Sequence, residues 1–89
     1  SIDPTNLMAL VSKGAALRDM GKYQEAIVTY DKVLTIDPND VYAMGGMAGS
    51  LYGSGQYGQA VTLIDRALEL NPSDGNILQV KETLTQATN

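Results

Sequence analysis

The chain has 89 residues, enough for one domain that buries about 60 to 65 per cent of its unfolded surface, and 44% hydrophobic against 18% charged residues marks it as a folding chain. Without cysteine there is no disulfide framework and no thiolate metal site, which fits a reducing compartment and makes the cytoplasm the expected location. A net charge of -4, with six basic residues scattered from Lys13 to Lys81, opposes attraction to nucleic acid, and no apolar run of about 18 residues is present to cross a membrane.

In chain order, Ile2 to Asn6 reads as the end of a preceding junction, and a first helix is predicted from about Leu7 to Met20. Leu10, Gly14 and Leu17 share one of its faces, and Gly21 marks a left-handed C-terminal cap. A second helix carries Ala26, Ile27, Tyr30, Val33 and Leu34 at the three-and-four spacing of a buried stripe. Pro38 stops it, because proline lacks a donor and restricts the residue before it. Asn39 or Asp40 then caps a third helix with Met44, Met47, Ala48 and Leu51 on its apolar face. The fourth buries Ala60, Val61, Ile64, Ala67 and Leu68. A fifth, from about Gly75 to Ala87, has Ile77, Val80, Leu84 and Ala87 as a stripe and Lys81, Glu82 and Thr85 on its polar side, the makings of a solvating cap.

Sliding the chain against itself by 34 residues aligns Leu7 to Asp40 with Val41 to Asp74, and nine of the 34 pairs are identical where chance supplies about two or three. Among them are Leu17/Leu51, Gly21/Gly55, Tyr23/Tyr57, Ala26/Ala60 and Pro38/Pro72. The junctions Ile36-Asp37-Pro38-Asn39-Asp40 and Leu70-Asn71-Pro72-Ser73-Asp74 resemble Ile2-Asp3-Pro4-Thr5-Asn6, as expected of a piece cut from a longer array.

Gly14, Leu17, Gly21, Tyr23, Ala26, Tyr30, Val33 and Pro38, with their counterparts one repeat later, resemble the tetratricopeptide repeat signature. The resemblance covers nearly the whole chain and implies an all-α fold, a right-handed superhelix of antiparallel helical hairpins with about five helices. Residues 7–40 and 41–74 would be two repeats, 1–6 the end of a preceding junction and 75–89 a C-terminal capping helix. Some positions depart from the pattern: Leu10 and Met44 replace an aromatic, Lys13 and Met47 a leucine, and Ile64 the aromatic matched by Tyr30. These are volume changes within a tolerant stack.

The resemblance also implies that the first helices of successive repeats line a concave face that holds an extended peptide or a partner helix. Carried over by position, that groove comprises Met8, Val11, Ser12, Ala15 and Asp19, then Tyr42, Gly45, Gly46, Gly49, Tyr52 and Gly53, then Asn76, Gln79 and Thr83. Its chemistry is small, mildly apolar and almost uncharged. A family mode that clamps a terminal carboxylate is not matched, since Val11, Ala15, Gly46, Asn76 and Val80 stand at its places. Nor is the asparagine ladder of glycosyltransferase-linked members, whose row here is Ser12, Gly46 and Val80.

Histidine and cysteine are absent, which removes the usual acid, base and nucleophile near neutral pH, so no enzyme, cofactor or metal is expected. Asp31, Asp37, Asp65, Glu69 and Asp74 fall near repeat ends and outer faces, where solvated charge is the simpler account. Asp37-Pro38-Asn39-Asp40 lacks the spaced ligands and terminal glutamate of a calcium loop, and Gly53 to Gly58 lacks the lysine of a phosphate loop.

The most unusual feature is the cluster Gly45, Gly46, Gly49 and Gly53 within one helix, where each glycine costs about 0.8 to 1 kcal/mol relative to alanine. Gly45, Gly49 and Gly53 recur every fourth residue, so they form a bare strip that Tyr42 and Tyr52 would flank. Two accounts stay open, a shallow binding groove, or glycines that relieve crowding between neighbouring helices or drift in a tolerant fragment. The expected function is a scaffold that binds another protein or peptide. The alternatives are self-association, by stacking or by exchange of helices through Gly53 to Gly55, and service as the non-catalytic part of a larger enzyme.

Overall fold

The computed structural model describes residues 4–71, 78, 79, 81, 82 and 86, and every regular element among them is helical. Four helices follow in order: α1 (Pro4–Asp19), α2 (Tyr23–Ile36), α3 (Val41–Gly53) and α4 (Tyr57–Leu70). α1 packs on α2, α3 on α4, and α3 also lies against both α2 and α1. Consecutive hairpins therefore stack side by side, with α1 and α3 on one layer.

The turns inside the hairpins are built alike. Gly21 and Gly55 take φ values of +80° and +87°, a region closed to most side chains. Lys22 N–H donates to the Leu17 carbonyl at 2.9 Å and Gly21 N–H to that of Arg18 at 2.9 Å, so the orphan carbonyls ending α1 are satisfied in a Schellman arrangement. Gln56 N–H to Leu51 and Gly55 N–H to Tyr52, at 2.8 and 3.0 Å, repeat it at the end of α3.

Between hairpins, Asp37 N–H closes α2 on the Val33 carbonyl at 2.7 Å, and Pro38 cannot extend the ladder. Asp40 then opens α3: its Oδ1 accepts from Tyr42 N–H at 3.0 Å and Ala43 N–H at 3.1 Å. Of the two residues named as caps it is Asp40 that caps; Asn39 N–H donates to Asp37 Oδ1 within the turn.

One boundary differs from expectation. α1 begins at Pro4 instead of Leu7, because proline is tolerated in the first turn, where its missing N–H would have had no partner. The fifth helix expected from Gly75 to Ala87 lies mostly outside the described residues, but Leu78, Gln79, Lys81, Glu82 and Gln86 are helical. Lys81 Nζ stands 2.8 Å from Asp65 Oδ1, joining that segment to α4.

The core forms two connected clusters. One gathers Leu7, Ala26, Tyr30, Val33 and Ala43; the other Met44, Ala48, Leu51, Ala60, Ile64 and Ala67. Each large member contributes about 1.5 to 3 kcal/mol relative to exposure. The Tyr30 ring is 1% exposed and lodges between Gly14 of α1 and Gly46 of α3. A Cβ at Gly14 would lie 2.8 Å from the ring, and one at Gly46 would overlap it, so both positions must lack a side chain. One repeat later Ala48 stands for Gly14 and Ile64 for Tyr30, a larger small residue facing a smaller large one.

Candidate functional site

Met8 on α1 and Tyr42 on α3 occupy the same place in the 34-residue register, and the packing of α1 on α3 presents both on one face. They are 71% and 76% exposed, large apolar surfaces that the core does not use. A cleft of about 480 Å³ lies at this face. Leu7, Met8, Val11 and Ser12 of α1 line it, with Asp37 and Asp40 of the α2–α3 junction and Tyr42 of α3.

The local chemistry follows from the elements that hold these groups. Leu7 is buried at the base as part of the core, while Val11 is half-buried beside it. Asp40 is held by its capping bonds and Asp37 by the Asn39 N–H, so each carboxylate is fixed through one oxygen, and its other oxygen takes no part in these bonds. The positive end of the α3 dipole offsets part of the Asp40 charge. Gly45, three residues past Tyr42, continues this face as bare backbone, since a Cβ there would meet no atom within 4 Å.

The expected groove residues divide. Met8, Val11, Ser12 and Tyr42 come together in the cleft, and Gly45 adjoins Tyr42 along α3. Ala15 is half-buried farther along α1, and Asp19 is exposed near its end, 3.6 Å from the Arg18 guanidinium. Tyr52 lies at the other end of α3, its ring centroid 5.2 Å from that of Tyr57 and tilted by 58°, a favourable aromatic pair within the chain. Asn76 and Thr83 fall outside the described residues, and Gln79 is helical and exposed.

The expectation of one bare glycine strip is corrected. Gly46 is buried beneath Tyr30, a Cβ at Gly53 would overlap the Tyr23 ring, and one at Gly49 would stand 3.4 Å from the Arg18 side chain. Tyrosines of α2 thus fill the space at two of the four positions, which relieves crowding as the second account held, and only Gly45 is open. Asp37 and Asp40 were not among the expected lining residues. In the sequence a capping role accounted for Asp40 and solvated charge for Asp37; what signalled more was their position immediately before a first helix.

Among the described residues no three or more histidine, cysteine, aspartate or glutamate side chains converge as a metal site, and no helix is long and apolar enough to cross a membrane. The arrangement is that of a helical-repeat protein with a surface cleft on its first-helix layer. A profile of the tetratricopeptide repeat matches residues 17–84, and the chain belongs to the tetratricopeptide repeat family. Among solved structures, that of the MamA RS-1 ArsTM double mutant is similar, with a TM-score of 0.86 over 97% of this chain at 22% identity. At that identity the likeness is one of fold. This chain spans 48% of the length of that structure. Comparison with curated protein sequences gave no match.

Proposed function

We propose that the chain is a non-catalytic protein–protein interaction scaffold that seats a peptide or a helix of a partner on the face formed by α1 and α3. Tetratricopeptide repeats in general mediate protein–protein interaction, and the observation that carries this reading is the cleft between Met8 and Tyr42. It offers two exposed anchors, an apolar base and fixed polar groups, the usual composition of a peptide-binding surface. On this reading residues 7–40 and 41–74 are the two repeats. The net charge of -4 disfavours nucleic acid as the partner.

Selection of random displayed peptides on the chain tests the proposal. Selected peptides should lose about tenfold or more in affinity when Met8→Ser or Tyr42→Ala is introduced, as expected for anchor residues, and keep it with Val28→Ser on α2. Equal affinity for all three variants overturns the cleft as the site.

Self-association is the second reading, favoured by Met20 and Val28, which are exposed away from the cleft. A strictly monomeric chain across a concentration series in sedimentation would remove it.

A further inference from the structure

The cleft joins two features that select different parts of a ligand. Met8, Val11 and Tyr42 give it apolar and aromatic walls, while Asp37 and Asp40 add two carboxylates to its lining and no lysine or arginine lines it. Both carboxylates are already oriented by backbone N–H groups, so a cation arriving there meets acceptors that need little further ordering. Arg66, a cation at the junction, donates from Nη2 to the Pro38 carbonyl at 3.0 Å, not to either carboxylate. Tyr42, 76% exposed, adds a ring face that attracts a guanidinium or ammonium.

From these features we infer that the cleft takes a basic peptide segment, in which an arginine or lysine lies next to an apolar side chain. The apolar side chain packs between Met8 and Tyr42, and the cation reaches Asp37 and Asp40. Charge complementarity chooses this occupant: an acidic segment would meet two carboxylates within a chain of net charge -4, and a second copy of the chain would bring the same unfavourable charge. This inference rests on the cleft being the binding face and adds the character of its ligand.

The test uses three labelled, end-blocked hexapeptides: alternating leucine with arginine, leucine with citrulline, and leucine with glutamate. Fluorescence anisotropy reads their binding to the full chain and to the Asp37→Asn/Asp40→Asn double variant. Asparagine keeps the turn and the helix cap, so the fold is retained. The arginine peptide should bind about five- to tenfold more tightly than the citrulline peptide at low salt, and lose most of that margin in the double variant and as salt is raised.

Equal binding of the arginine and citrulline peptides, with both weakened by Met8→Ser, overturns the basic preference and leaves the cleft as the site. A preference for the glutamate peptide also overturns it. If no peptide responds to Met8→Ser or Tyr42→Ala, the cleft reading itself fails. Dimers in sedimentation that dissociate on Tyr42→Ala assign the face to a second copy and overturn the inference.

Discussion

The Tyr30 ring on α2 fills the space in which a Cβ at Gly46 on α3 would stand. Glycine at that position is therefore a requirement of packing, whereas Gly45 next to it faces open space. Alanine at the two positions should act in opposite directions. Gly45→Ala is expected to stabilise by up to about 1 kcal/mol through helix propensity. Gly46→Ala gains the same propensity but must displace a ring held on several sides, and is expected to cost about 1 to 3 kcal/mol net. Urea midpoints for the two variants check the pair, and stabilisation by Gly46→Ala would show that the ring has room to move.

Burial also pushes the Tyr30 phenol above its ordinary pKa; the Arg18 guanidinium opposes the shift and the Asp19 carboxylate adds to it. The unfolded chain then gives up this proton first, and the native state binds more protons. Stability from this group is fully present below about pH 10 and falls as pH rises from there through the folded value. Tyr30→Phe has no proton to lose. The fall in urea midpoint between about pH 9 and 11 should be steeper in the unaltered chain than in Tyr30→Phe, and parallel curves would contradict the assignment.

Much of this fold was legible because its punctuation is local. Gly21 and Gly55 end first helices through their own backbone freedom, Pro38 stops α2 through its missing donor, and the Tyr30 stripe has helical spacing. The fate of the α3 glycines was not legible in the same way. Gly45, Gly46 and Gly53 are one residue type in one helix, and what separates them is the reach of Tyr23 and Tyr30, which lie on another helix. The candidate site was half legible. Met8 and Tyr42 were expected from the family resemblance carried over by position, but Asp37 and Asp40 enter the cleft only once the junction folds back beside α1.

Asp40 is the one described N-cap whose side chain bonds the opening turn of its helix; Lys22 and Gln56 make no such bond at α2 and α4. Asp40→Ala should cost about 1 kcal/mol, and Asp40→Asn only a few tenths. Thermal unfolding of the two variants separates the capping bonds from the charge. An equal loss in both would mean that the carboxylate's charge at the α3 dipole carries the effect instead.

The α3 surface beyond Tyr42 sets how far a bound segment extends. A Cβ at Gly45 would meet open space beside the cleft, and one at Gly49 would meet only the flexible Arg18 side chain, at 3.4 Å. Leucine at either position raises helix propensity, so helix content should hold or increase. Gly45→Leu should weaken a cleft-binding peptide about tenfold by occupying its path. Gly49→Leu, one turn farther on, should weaken it as well if the segment follows α3 toward Tyr52. Circular dichroism and anisotropy on the two variants measure this together: unchanged affinity in Gly49→Leu confines the contact to the end marked by Met8 and Tyr42, and unchanged affinity in both places the ligand off α3 altogether.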